Sequence, residues 1–123
     1  MKVLITDDSK MARKMLIKTL NESITEEIEI FEAQNGLEAL ETYKQISPNL
    51  VFLDLTMPVM DGFEALEKIK KFDKNAKVVI LSADIQKLSV EKVLALGAFN
   101  FIKKPIDLEK MQQILGKINE LDK

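Results

Sequence analysis

The sequence predicts an α/β fold, a doubly wound five-stranded parallel sheet with five helices. Two observations carry this expectation. Short apolar runs alternate along the chain with segments of helical spacing, which is the pattern of a parallel sheet covered on both faces. Runs such as Val78-Val79-Ile80-Leu81 are apolar at every position, as strands buried on both faces require. With 123 residues, 46% of them hydrophobic, the chain has the length of one domain and enough apolar content for a core.

The elements follow in order. Lys2 to Thr6 reads as the first strand. Ser9 caps a helix with Ala12, Met15, Leu16, Thr19 and Leu20 on one face. Glu29 to Ala33 reads as the second strand, and Gln34-Asn35-Gly36 as a turn. The next helix buries Leu37, Leu40, Tyr43 and Ile46 and stops at Ser47-Pro48-Asn49. Leu50 to Leu53 is the third strand, Met57 to Gly62 a loop, and Phe63, Leu66 and Ile69 mark the third helix. Val78 to Leu81 is the fourth strand, and a helix from about Asp84 to Leu96 ends at Gly97, a residue suited to a left-handed stop. Phe99 to Lys103 is the fifth strand. The last helix starts near Asp107 and carries Met111, Ile114, Leu115, Ile118 and Leu121 as an amphipathic stripe.

Composition narrows the function classes. Eighteen basic residues against 20 acidic ones leave a net charge of −2, so no broad field favours nucleic acid or anionic membrane. No cysteine is present, which removes disulfides and thiolate zinc sites. Histidine is absent too, so no Ser-His or Cys-His nucleophile pair can form, and no histidine can carry a phosphoryl group. No apolar run approaches the roughly 20 residues of a membrane span, and the N-terminus is too short for a signal peptide core. A soluble cytoplasmic protein is expected.

The apolar runs end in residues that can touch a phosphate or a metal. Asp7-Asp8, Asp54, Ser82 and Lys104-Pro105 follow the first, third, fourth and fifth runs. Parallel strands would bring these termini to one edge, where open α/β sheets place their sites. Asp7-Asp8 alone fits a solvated turn or helix cap as well as a site. Asp54 follows four apolar residues, and a carboxylate beside a buried strand is costly unless something pairs with it. Asp8 and Asp54 with a backbone carbonyl suit Mg²⁺, which takes one or two carboxylates, several waters and a phosphate. Asp54 can attack phosphorus to form an acyl phosphate, with Lys104 and Ser82 on the phosphoryl oxygens.

With Asp7-Asp8, Asp54, Met57-Pro58, Asp61-Gly62, Ser82-Ala83 and Lys104-Pro105 in that order, the chain resembles a response regulator receiver domain of two-component signalling over essentially its whole length. The resemblance implies a flavodoxin-like strand order, 2-1-3-4-5, and a single receiver domain over residues 1–123 without an output domain. It implies Asp54 as phosphoacceptor, Asp8 as a direct Mg²⁺ ligand, Asp7 as one acting mainly through water, and the main-chain carbonyl of Thr56 as a further ligand. Ser82 would be the switch hydroxyl, Phe101 the switch aromatic and Lys104 the phosphate-binding cation, with a cis Lys104-Pro105 bond. Thr56 and Asp84 would tune dephosphorylation. Phe101 stands where chemotaxis members commonly carry tyrosine.

The partners so implied are a histidine kinase, a phosphatase, and a downstream protein or phosphotransfer protein on the surface of the fourth helix, fifth strand and fifth helix. Chemotaxis is one pathway in view. Ile85 and Leu88 lie outside the apolar stripe of the fourth helix and read as ordinary scattered surface residues, with a partner or dimer contact as the sharper alternative. A small Mg²⁺-dependent phosphohydrolase with an aspartate nucleophile is the alternative reading. Such enzymes usually carry a second acid two residues after the nucleophile, and here that residue is Thr56. A flavin-binding protein is a third reading, but the first strand lacks a hydroxyl- and glycine-rich phosphate loop after it.

Overall fold

The computed structural model describes residues 1–24, 26–83 and 86–121. Five strands alternate with five helices: β1 (Lys2–Thr6), α1 (Lys10–Ser23), β2 (Glu29–Ala33), α2 (Gly36–Ile46), β3 (Leu50–Asp54), α3 (Gly62–Phe72), β4 (Val78–Ser82), α4 (Lys87–Ala95), β5 (Asn100–Lys103) and α5 (Leu108–Leu121). All pairings are parallel and the order is β2-β1-β3-β4-β5. This is the doubly wound, flavodoxin-like architecture expected from the sequence.

Side-chain alternation along the strands divides the core into two layers. Leu4, Val51, Leu53, Val78 and Ile80 pack with Leu40, Tyr43, Leu66, Ile69 and Val93, so α2, α3 and α4 cover one face. Val3, Ile5, Leu50, Phe52, Val79 and Leu81 pack with Leu16, Leu20, Met111, Ile114, Leu115 and Ile118, so α1 and α5 cover the other. The central strands β3 and β4 are buried at every residue. β2 keeps Glu29 and Glu32 exposed, and charge of this kind discourages pairing at an open edge.

Helix ends use side-chain caps. Ser9, Asn35 and Asp61 accept from the N–H groups of Ala12, Glu38 and Glu64, each three residues on. Gly97 adopts φ 98° after α4, as the sequence predicts for its stop.

Two helical stripes differ in phase from expectation. α1 buries Arg13, Leu16 and Leu20, while Met15 is 52% exposed. α2 buries Gly36, Ala39, Leu40 and Tyr43, while Leu37 faces solvent. In both, the inward stripe keeps i, i+3, i+4 spacing but includes a charged or small residue that hydropathy ranks as outer. Asp84 and Ile85, which the sequence reading placed at the start of α4, lie outside the described residues.

Candidate functional site

The helices following β1 and β3 lie on opposite faces of the sheet, so the chain reverses between these neighbouring strands and opens a crevice at their carboxyl ends. Asp7 and Asp8 follow β1, and Asp54 ends β3. One carboxylate oxygen from each lies within 4.8 Å of the others. Asp7 and Asp54 are buried and Asp8 is exposed.

Lys104 reaches this group from the end of β5. Its Nζ donates to Asp7 Oδ2 at 2.8 Å and lies 3.5 Å from Asp54 Oδ2. The Lys104-Pro105 bond is cis, and the Lys104 N–H donates to the carbonyl of Ser82 at 2.8 Å. Ser82 is buried at the end of β4. Phe101 is half-buried on β5, opposite Ile80, and packs against the core layer under α2, α3 and α4. Thr56 is exposed in the loop after β3. Of the residues singled out from sequence, Asp7, Asp8, Asp54 and Lys104 form one cluster, and Ser82 adjoins it through the main-chain bond to Lys104.

The electrostatics of the cluster are unbalanced. Burial pushes the Asp54 carboxyl above the usual carboxylate range, the Asp7 charge adds to this, and Lys104 offsets only part of it. For Lys104, burial acts to lower the ammonium, but its hydrogen bond to Asp7 and the Asp54 and Asp7 charges outweigh burial and hold it above the ordinary lysine value. Lys104 thus serves both Asp7 and Asp54, and among the described residues no cation pairs with Asp8.

The donor set fits a hard divalent cation. Oxygens trans to one another on Mg²⁺ are about 4.2 Å apart, twice a bond of about 2.1 Å. The three oxygens all lie within 4.8 Å of one another, close to that span.

Other residues supporting the cluster were not picked out from sequence. Arg13 Nη1 donates to the Asp7 main-chain oxygen at 2.7 Å, and its Nε pairs with Glu32 Oε1 at 2.9 Å. The signal was a cation within an otherwise apolar stripe. Gly62 lies so close to β3 that an added Cβ would sit 2.4 Å from the Asp54 carbonyl oxygen. Gly36 is equally tight against the Met60 carbonyl, and its N–H donates there at 3.0 Å. Asp61-Gly62 is recognisable from the sequence as part of a motif, without the steric reason for it.

Comparison with known proteins agrees with this geometry. The family model of the response regulator receiver domain matches residues 3–116. The chain is 44% identical over 120 residues to the chemotaxis protein CheY of Treponema pallidum, covering 95% of this chain and 81% of that protein. It is 38% identical over 119 residues to CheY of Thermotoga maritima, covering 97% and 98%. The crystal structure of the CheX-CheY-BeF3-Mg complex from Borrelia burgdorferi contains a similar chain, with a TM-score of 0.85 and 38% identity, covering 96% of this chain and 88% of that one. Among the described residues no helix is long and apolar enough to cross a membrane. The chain therefore belongs to the response regulator receiver domain family of two-component signalling proteins.

Proposed function

We propose that this protein is a phosphorylation-dependent signalling switch that accepts a phosphoryl group on Asp54 from the phosphohistidine of a histidine kinase. The carrying observation is the meeting of Asp7, Asp8 and Asp54 with Lys104 at the carboxyl edge of the sheet. An Asp54 carboxylate oxygen attacks phosphorus in line with the P–N bond. The O–P bond forms, the P–N bond breaks, and its electron pair leaves on the imidazole nitrogen, which takes up a proton. The chain has no histidine, so the phosphoryl group arrives from another protein or from a small phosphodonor.

Asp8 and Asp54 would hold Mg²⁺ directly, Asp7 through water, and the Thr56 main-chain carbonyl would add a ligand. The metal would neutralise phosphoryl charge and orient its oxygens. Lys104 then exchanges part of its carboxylate pairing for a phosphoryl oxygen, a charge-assisted contact.

Ser82 bonds another phosphoryl oxygen by moving toward Asp54. Phe101 turns further inward as Ser82 vacates space, and the surface of α4, β5 and α5 changes shape for a downstream protein or phosphotransfer partner. The phosphoryl group drives the change only through these differential contacts. Thr56 and Asp84 tune how fast water removes the group. The Borrelia CheY was solved with CheX, and the Treponema and Thermotoga relatives are chemotaxis proteins. Those relatives support a chemotaxis pathway with a CheX-like partner; a phosphatase and a cytoplasmic location complete the same reading.

Treatment with a small phosphodonor and Mg²⁺, read by intact mass, tests the site. Wild type gains one phosphoryl group, Asp54→Asn gains none, and chelation of Mg²⁺ suppresses the gain. Ser82→Ala still labels but shows a weakened change in partner binding. Labelling of Asp54→Asn at the wild-type level would overturn the assignment.

A further inference from the structure

Arg13 is 8% exposed. Charged side chains are rarely so buried unless paired, and this one closes a ring of contacts around the Asp7–Asp8 turn. Nη1 donates to the Asp7 carbonyl at 2.7 Å and Nε to Glu32 Oε1 at 2.9 Å. Glu32 adjoins Ala33, whose carbonyl accepts the Asp7 N–H at 3.2 Å. The ring therefore joins α1, the end of β2 and the first residue after β1.

The Asp7 carbonyl belongs to the peptide unit that leads into Asp8. That unit is planar, so holding its oxygen also holds its N–H and restricts the direction in which Asp8 leaves the backbone. Asp7 has further restraints, because Oδ1 accepts from the Ser9 N–H at 2.9 Å and Oδ2 from Lys104 at 2.8 Å. Asp8 is exposed and makes no hydrogen bond of its own among the described residues. Its aim depends on the backbone it grows from.

We propose that Arg13 is a positioning residue for divalent-cation binding: its fork on the Asp7 carbonyl and Glu32 holds the Asp7–Asp8 peptide so that the Asp8 carboxylate faces Asp54. The proposal rests on the metal-site reading above. Charge and positioning predict opposite signs. As a mere cation beside an acidic cluster, Arg13 weakens Mg²⁺ binding, and its removal tightens it. As a positioning group, its removal loosens binding. Outer partners that orient metal ligands typically contribute about 10- to 100-fold in affinity. Arg13 acts on Asp8 through one peptide, so the lower end of that range is expected.

The test is Mg²⁺ titration by calorimetry on the full chain, with the melting temperature of each variant measured alongside. Arg13→Met is expected to weaken Mg²⁺ binding about 10-fold. Arg13→Lys keeps the charge but loses the planar fork, so it weakens binding by less. Glu32→Gln, which leaves the guanidinium on a neutral acceptor, gives the smallest loss. Titrations run well below every melting temperature, where a residue important only for folding lowers the melting point and leaves affinity unchanged. Arg13→Met binding Mg²⁺ as tightly as wild type, or more tightly, overturns the proposal. If Arg13→Met does not fold, wild-type affinity in both Arg13→Lys and Glu32→Gln overturns it. Failure of the metal-site reading looks different: wild type shows no saturable binding, or Asp8→Asn binds as wild type does.

Discussion

Asp54 ends β3 at the carboxyl edge of the sheet, and Asp73 follows α3 at the opposite edge; their surroundings push them in opposite directions. Asp73 accepts from Tyr43 Oη at 2.6 Å and from the Asn75 N–H at 3.0 Å. The tyrosine bond, ahead of the backbone bond, holds the Asp73 carboxyl below the usual range. Burial, with the neighbouring Asp73 adding to it, pushes the Tyr43 phenol well above its ordinary value. Phe72 meets the Tyr43 ring edge-on at 6.3 Å between centroids. This edge satisfies its own polar groups. At the other edge, burial and Asp7 raise Asp54, and one lysine is divided between Asp7 and Asp54 while Asp8 has no cation partner among the described residues. The difference separates a carboxylate that helps hold the fold from one whose charge is left for something outside the chain to neutralise.

The largest expected effect breaks the carboxyl edge by sterics. Gly62→Ala places a Cβ 2.4 Å from the Asp54 carbonyl oxygen and 2.7 Å from Leu55 Cα. Both are backbone atoms, so β3 or α3 must shift. A loss of about 3 kcal/mol in urea unfolding is expected, the upper part of the range for overpacking, together with weaker Mg²⁺ binding. Gly116→Ala is the control: nothing lies within 4 Å of its added Cβ, and in a helix interior the change stabilises by about 0.5–1 kcal/mol. Equal effects at the two glycines would remove the claim that close approach at position 62 shapes the site.

Tyr43→Phe acts on the other edge and keeps the ring. Losing a hydrogen bond to a charged group costs about 1.5 kcal/mol, while Mg²⁺ affinity should not change. The pH sign follows from the lowered folded pKa of Asp73. Its contribution is present above the unfolded value of about 3.9 and is lost as pH falls through the folded value. The deficit of Tyr43→Phe is therefore full at neutral pH and shrinks in acid. A deficit independent of pH down to acid unfolding would assign the effect to packing instead.

The fold was legible because strand burial is a one-dimensional signal: Leu50 to Leu53 and Val78 to Leu81 are apolar at every position, and the structure buries all of them. The residues of the site cluster were legible because each sits at or just beyond the end of such a run. Helix phase was less so. Hydropathy turned α1 toward Met15, but Arg13 lies inward because its donors have acceptors on Asp7 and Glu32. Those acceptors are distant in the pattern and become neighbours only when β1 and β2 pair. Gly36 illustrates the same gap in α2. Its place on the inner face is set by the Met60 carbonyl, a backbone atom that no side-chain pattern reveals. Ser82 and Phe101 were placed through family resemblance, since a hydroxyl or an aromatic at a strand end is common on its own.

Asp54→Asn sharpens the contrast in sign. Asp54 has a raised folded pKa, so folding favours its protonated form. That stability is present below the unfolded value of about 3.9 and disappears as pH rises through the folded value. At neutral pH without metal, the ionised group opposes folding, and the amide should stabilise the protein. Lys104 keeps its 2.8 Å partner on Asp7, so the substitution strands no charge. Urea unfolding in chelator checks the gain, which should fade below about pH 4. Mg²⁺ should then stabilise wild type more than the variant. A neutral-pH loss in Asp54→Asn would mean that the two edges treat their carboxylates alike.

Backbone strain gives the smallest and most direct comparison between the edges. Each has one described non-glycine residue in the left-handed region, Val59 at φ 69° and Ser47 at φ 45°. Ser47 follows α2 and donates its N–H to the Tyr43 carbonyl at 2.9 Å, a helix end where this conformation is routine. Val59 is β-branched, and its side chain crowds the backbone at positive φ. It is also 76% exposed, so little burial offsets the strain. Val59→Asn should therefore stabilise the protein by about 0.5–1 kcal/mol, because asparagine tolerates the left-handed region. Ser47→Asn should gain less, since serine lacks the branched β-carbon that makes position 59 costly. Thermal unfolding of the two variants compares them, and a larger gain at Ser47 would show that strain at the carboxyl edge is no greater than that of an ordinary helix terminus.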